Sequence, residues 1–130
     1  MPSTRAAAAR FVVAGGLNTA LGYVLLRALL AGFAGLPYAV ALANAVSYAI
    51  GIAVSFVANR RWTFRSRGSA RGELPRFVAA HVGVLCLSSA LMQAGVSRAG
   101  LPLLVCFLLV APVTTAINFV VQRRWVFAGR

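Results

Sequence analysis

Asn59-Arg60-Arg61-Trp62-Thr63-Phe64 returns 63 residues later as Gln122-Arg123-Arg124-Trp125-Val126-Phe127. Ahead of each copy runs an apolar stretch that opens on a second repeated word. Ala34-Gly35-Leu36-Pro37-x-x-Val40 recurs as Ala99-Gly100-Leu101-Pro102-x-x-Val105, 65 residues on. A third word, Arg10-Phe11-Val12, recurs as Arg76-Phe77-Val78 at a spacing of 66. Three words in one order at nearly one spacing make the chain two copies of one unit. The units cover about 10–64 and 76–127 within a single membrane domain, 1–130. Each holds two long apolar stretches. The expected fold is all-α: a polytopic membrane protein with four transmembrane helices arranged as two parallel-repeat hairpins.

Composition supports this reading. The chain is 61% hydrophobic with a mean hydropathy of +0.85. A soluble protein of 130 residues has too little interior for that much apolar surface. Charge-free runs predict helices over about 11–32, 38–58, 77–97 and 102–121. Alternating polarity, the mark of a membrane strand, is absent. Arg5 and Arg10 precede an apolar run, as in a signal peptide. Asn18 and Arg27 interrupt that run, and the same hairpin recurs later, so the first helix is expected to be retained.

All thirteen cations are arginines, against one acid, Glu73, giving a formal net charge of +12. Such a balance can signal nucleic acid. Here the arginines stand at the ends of apolar runs, with no polar face to lie along a duplex, so nucleic acid is excluded as a partner. Eleven arginines (Arg5, Arg10, Arg60, Arg61, Arg65, Arg67, Arg71, Arg76, Arg123, Arg124 and Arg130) fall on one side, and only Arg27 and Arg98 on the other. The positive-inside rule puts both termini and the 59–76 connector in the cytoplasm. The two Gly-Leu-Pro turns then face outward, and the pseudo-symmetry axis lies along the membrane normal. The 65–75 connector is rich in Arg, Ser and Gly and is expected to be loose.

One histidine and one acid cannot build a metal site, so no metal and no cofactor are expected. With no Asp, and Glu73 in the connector, no catalytic centre is expected either. Cys86 and Cys106 read as small buried apolar side chains. His81, near the cytoplasmic end of the third helix, reads as a packing residue.

The polar groups that remain are neutral amides and paired arginines. Ala39, Ala43, Ser47, Gly51, Ser55 and Asn59 recur at every fourth position, a small-residue ribbon that lets another backbone approach. Beside it runs Asn44, Tyr48, Ile52 and Phe56. Asn18 and Asn44 lie deepest. On the fourth helix Thr114, Asn118 and Gln122 share a line ending at Arg123 and Arg124. Paired arginines at a helix end offer forked donors matched to phosphate oxygens. Trp62, Phe64, Trp125 and Phe127 suit an interfacial aromatic belt, and the arginines suit anionic lipid. The candidate binding residues are Asn18, Asn44, Tyr48, Asn59, Arg60, Arg61, Asn118, Gln122, Arg123 and Arg124. The four arginines are expected to converge at the cytoplasmic mouth.

Arg10-Phe11 with Gly15 and Asn18-Thr19, then Asn44, then Phe56 to Phe64 read as FVANRRWTF, and Asn118 to Phe127 read as NFVVQRRWVF, resemble the GtrA-like family of small four-span membrane proteins. The resemblance implies a part in cell-surface polysaccharide synthesis in a bacterial or archaeal cytoplasmic membrane. It implies translocation of polyprenyl-phosphate-linked sugars, with recruitment of a membrane glycosyltransferase as the alternative. It carries over Asn18, Asn44, Asn59, Arg60 and Arg61, and the internal repeat adds Arg123 and Arg124. The second copy has Gln122 where the first has Asn59, so the halves need not contribute equally. Four helices make a small transporter; a homodimer or a glycosyltransferase partner would supply more wall.

The topology is tested by cysteine labelling in intact cells. Cysteines placed at Gly35 or Gly100 should react with an impermeant reagent added outside, and one at Ser69 should not.

Overall fold

Four helices form among the described residues: α1 (Thr4–Gly32), α2 (Ala39–Ala58), α3 (Ala70–Ser97) and α4 (Leu103–Val121). The computed structural model describes Pro2 to Gly129, the Ala41 side chain excepted; Arg130, counted above among the cytoplasmic cations, lies outside the described residues. Each helix is long and apolar enough to cross a membrane. Their exteriors are apolar too: Leu17 and Leu103 are each 67% exposed. Removing a side chain of that size from water is worth about 1.5–3 kcal/mol. Lipid meets that demand, and the outward-facing leucines, valines and phenylalanines mark the membrane-embedded surface.

α2 and α4 occupy the expected ranges, whereas α1 and α3 each start seven residues before theirs. A charge ends a membrane span; it does not end a helix. Ser3 caps α1, its Oγ accepting from Ala6 N–H at 3.4 Å and its carbonyl from Ala7 N–H at 2.9 Å. Ala6 to Ala9 then favour helix strongly. At α3, the Ser69 carbonyl accepts from Gly72 and Glu73. Glu73 lies in the first turn, where the helix dipole favours an anion. The connector expected to be loose is therefore helical from Ala70 onward.

Contacts divide the chain into two units, Met1–Ser66 and Arg67–Arg130. In the first, α1 packs on α2, and in the second α3 packs on α4. The hairpin turns share one device. Gly35 (φ 86°) and Gly100 (φ 66°) both adopt the left-handed conformation that glycine takes without steric cost. In the first unit the small-residue ribbon faces α1: Ala43, Ser47, Gly51 and Asn59 are all buried. The inward stripe of α1 is Ala7, Phe11 and Ala14; that of α3 is Glu73, Phe77 and Ala80, each 66 residues further on.

In the second unit the close approach falls at Gly95. Cys106, 2% exposed, lies against it, with its Sγ directed at the Met92 carbonyl at 3.7 Å. Cys86 is exposed on α3, contrary to the expectation of two buried thiols, and neither cysteine is in a disulfide.

A methyl group at Gly95 would occupy the space of Cys106 Sγ. Gly95→Ala should therefore destabilise the α3–α4 hairpin by about 1–3 kcal/mol. Adding Cys106→Ala should recover most of that loss. Thermal melts of the two single variants and the double variant in detergent check the coupling.

Candidate functional site

The repeated Arg-Arg-Trp words do not continue the α-helices. Each forms a π-helical turn, Asn59–Thr63 after α2 and Gln122–Val126 after α4. Phe64 N–H donates to the Asn59 carbonyl and Phe127 N–H to the Gln122 carbonyl, both at 2.8 Å and both five residues back. Single π-turns recur at functional sites in helices. The slipped bond carries Phe64 and Phe127 inward until both are fully buried. Phe64 meets Phe11 at 6.1 Å between ring centres, and Phe127 meets Phe77 at 6.0 Å. Thus the Arg-Phe-Val word of each copy receives the Trp-x-Phe word of the same copy.

In the first unit the Arg10 guanidinium donates to the Trp62 carbonyl at 3.3 Å and stands 6.0 Å from the indole centre. Arg10 thereby joins Arg60 and Arg61 at one turn of chain. Arg60 is half-buried and Arg61 exposed. No acid occurs anywhere in the sequence of this unit.

Behind the arginines lies a polar seam. Asn59, 4% exposed, donates from Nδ2 to Ser55 Oγ at 3.2 Å, while its buried Oδ1 accepts nothing. Thr63 is wholly buried and its Oγ1 likewise makes no hydrogen bond. Two turns further into α2 is Gly51, and the Asn18 amide of α1 stands over it, 3.7 Å from where a Cβ would be. Asn18 Oδ1 is also buried without a hydrogen bond. Gly51, Ser55 and Asn59 lie in line, so the Asn18 and Asn59 acceptors are about 12 Å apart along the α1–α2 seam, with Thr63 one turn beyond. Asn44 and Tyr48 do not join them; both are exposed on α2.

The second unit repeats the frame with fewer polar groups. Gln122 is buried and donates from Nε2 to Asn118 Oδ1 at 3.1 Å, and its Oε1 accepts nothing. Asn118 and Arg123 are half-buried and Arg124 is exposed. Thr114 satisfies its hydroxyl on its own helix, at the Val110 carbonyl, 2.9 Å away. His81 packs on Phe77, 4.2 Å between rings, and its Nδ1 donates to the Phe77 carbonyl at 3.0 Å. That is the packing role expected of it.

Three features of the candidate site escaped sequence reasoning. The π-turns have no composition signal. Thr63 looked like a spacer between Trp62 and Phe64. Glu73 was assigned to a loose connector, yet it is helical and 4% exposed. Aligning the repeats at 66 places it on the inward stripe opposite Ala7, which was the available signal.

Fold and site together define a polytopic four-helix membrane protein whose two hairpins each end in a basic aromatic π-turn. The family model described as GtrA/DPMS, transmembrane domain, matches residues 10–127. The chain belongs to that family. No solved structure matches it. No group of three or more His, Cys, Asp or Glu that could hold a metal occurs among the described residues.

Thr63→Val separates a structural hydroxyl from a ligand-facing one. A buried hydroxyl without a partner costs about 1–3 kcal/mol. Val126 already fills the equivalent place in the second unit. The variant should melt no lower than the parent in detergent; a lower melting temperature would assign the hydroxyl to the fold.

Proposed function

We propose that this protein translocates a polyprenyl-phosphate-linked sugar across a bacterial or archaeal cytoplasmic membrane, with both termini on the cytoplasmic side. The observation that carries the reading is the pairing of two chemistries along one seam. Guanidinium groups gathered at a helix end suit a phosphate. Buried amide and hydroxyl oxygens that accept nothing suit the hydroxyl hydrogens of a sugar. In the first unit Arg60 and Arg61 are the phosphate donors and Asn18 and Asn59 the acceptors; Arg123, Arg124 and Gln122 are the corresponding groups of the second unit. Asn118 orients Gln122, whereas Asn44 and Tyr48, exposed on α2, stand apart from the seam.

The lack of charge along the seam matters for transport. A carboxylate at membrane depth would be expensive and would bind cations. A neutral acceptor can hold a hydroxyl and release it, at about 0.5–1.5 kcal/mol per hydrogen bond. The isoprenyl tail stays in lipid throughout. The sequence contains no nucleotide-binding motif, which favours movement down the gradient of the lipid-linked sugar.

The test is flipping of a defined polyprenyl-phosphate sugar by purified protein in vesicles. Arg60→Lys keeps the charge but loses the forked donors. It should slow flipping roughly tenfold, the equivalent of about 1.4 kcal/mol. Arg65→Lys and Arg67→Lys should change little. Equal flipping by Arg60→Lys at matched protein amounts would overturn the assignment. Recruitment of a glycosyltransferase would then be the better reading.

A further inference from the structure

Two consecutive residues of α1 reach the end of the first π-turn. Phe11 is buried and packs on the buried Phe64 ring. Arg10 meets the turn at Trp62, which is 43% exposed. The aromatic pair fixes α1 to the turn, and Arg10 adds little to that hold. Its Nη1 lies 3.3 Å from the Trp62 carbonyl, beyond the usual N–H···O range of about 2.7–3.2 Å. Its guanidinium stands 6.0 Å from the indole centre, at the limit of roughly 6 Å within which a cation feels the ring. The hydrogen bond is exposed, so water can replace the guanidinium at the carbonyl. That bond occupies a single donor of a group that has several. Arg10 is nonetheless half-buried, so its side chain lies against the turn instead of extending into solvent.

We propose that Arg10 is a phosphate donor of the first unit, held on Trp62 until the lipid phosphate arrives and then drawn from the carbonyl and the indole to the phosphate. This rests on the lipid-phosphate reading above and adds to it an arginine from a different helix. The position suits the role. The Arg10 guanidinium meets the carbonyl of the residue that follows Arg61, and Arg61 is exposed. A phosphate at the end of α2 is then gripped from α1 as well. The exchange is favourable in kind. The neutral carbonyl takes one N–H of the guanidinium, whereas a phosphate takes two in parallel and carries the opposite charge. The Trp62 carbonyl is left to water at an exposed position, so no buried group loses a partner. The weakness of the two resting contacts is what this role requires. A guanidinium locked in a short, buried bond would have to break it before it could serve a ligand.

Trp62 reports the exchange, because the departing guanidinium leaves its ring. In a Trp125→Phe protein Trp62 is the sole tryptophan. That protein is titrated in detergent with farnesyl phosphate, and binding is followed in parallel by calorimetry. Trp62 emission should change saturably, with the midpoint seen in the heat. Arg10→Gln in the same background should weaken binding at least about tenfold. Its emission without ligand should already be shifted toward that of the saturated parent. Arg5→Gln removes the same charge from an exposed position on α1 and should leave the midpoint within about twofold. Undiminished binding by a folded Arg10→Gln protein would overturn the proposal. So would an equal loss in Arg5→Gln, which would reduce Arg10 to its share of the net charge. Saturable heat with no change in Trp62 emission would overturn it too, and that measurement decides on the parent alone should Arg10→Gln not fold. Absence of both heat and emission change would refute the lipid-phosphate reading itself. Saturation of Trp62 by inorganic phosphate at the same concentrations would overturn the lipid as the source of the phosphate.

Discussion

One slipped hydrogen bond per unit sets the rest of the site. Had Phe64 N–H met the Arg60 carbonyl, as in an α-helix, the side chains from 60 onward would have kept the α-helical rotation. Bonding to Asn59 inserts one extra residue into the turn, sends Phe64 inward, and leaves the Arg60 carbonyl to Ser66 N–H at 2.8 Å. The aromatic contact with Phe11 then holds the slip in place. Aromatic pairs of this kind are worth about 0.5–1.5 kcal/mol beyond the area they bury. The same bond and ring pair recur in the second unit, at Phe127 and Phe77. A feature that costs helical regularity twice, at equivalent places, is part of the design of the unit.

The slip also explains how amide oxygens come to be buried without partners. Asn59 and Gln122 open the two turns, and each spends its NH2 group on the residue four back, Ser55 or Asn118. The amide oxygen is left buried without a hydrogen bond. In a bilayer there is no water to rescue such an acceptor, and its cost is about 1–3 kcal/mol.

Hydrophobic patterning made the four spans legible, because the need for about twenty apolar residues is imposed by bilayer thickness and leaves a mark on every span. Repeated words made the two units legible. Helix starts were not, because Arg5, Arg71 and Arg76 end a hydrophobic run without ending a helix. For the site, residue identity was informative where chemistry is local: paired arginines, deep amides, a small-residue ribbon. Register was not. Whether Asn44 lies in the seam with Asn18 or on the outer side of α2 depends on helix rotation, and both stripes of α2 are apolar enough to be either. The structure puts Gly51 under Asn18 and turns Asn44 outward. Arg10 was legible only as half of a repeated word; its clasp on Trp62 spans 52 residues of sequence.

The two copies share one frame and differ in the polar groups they place on it. The elements that hold the unit together survive in both copies: the left-handed glycine of the turn, the Phe–Phe pair, the π-turn and the amide that opens it. Asn18 and Thr63 occur in the first unit only, with Val84 and Val126 in their places in the second. Asn18 and Thr63 have no structural task their counterparts Val84 and Val126 fail to perform, since the second hairpin folds the same way without them.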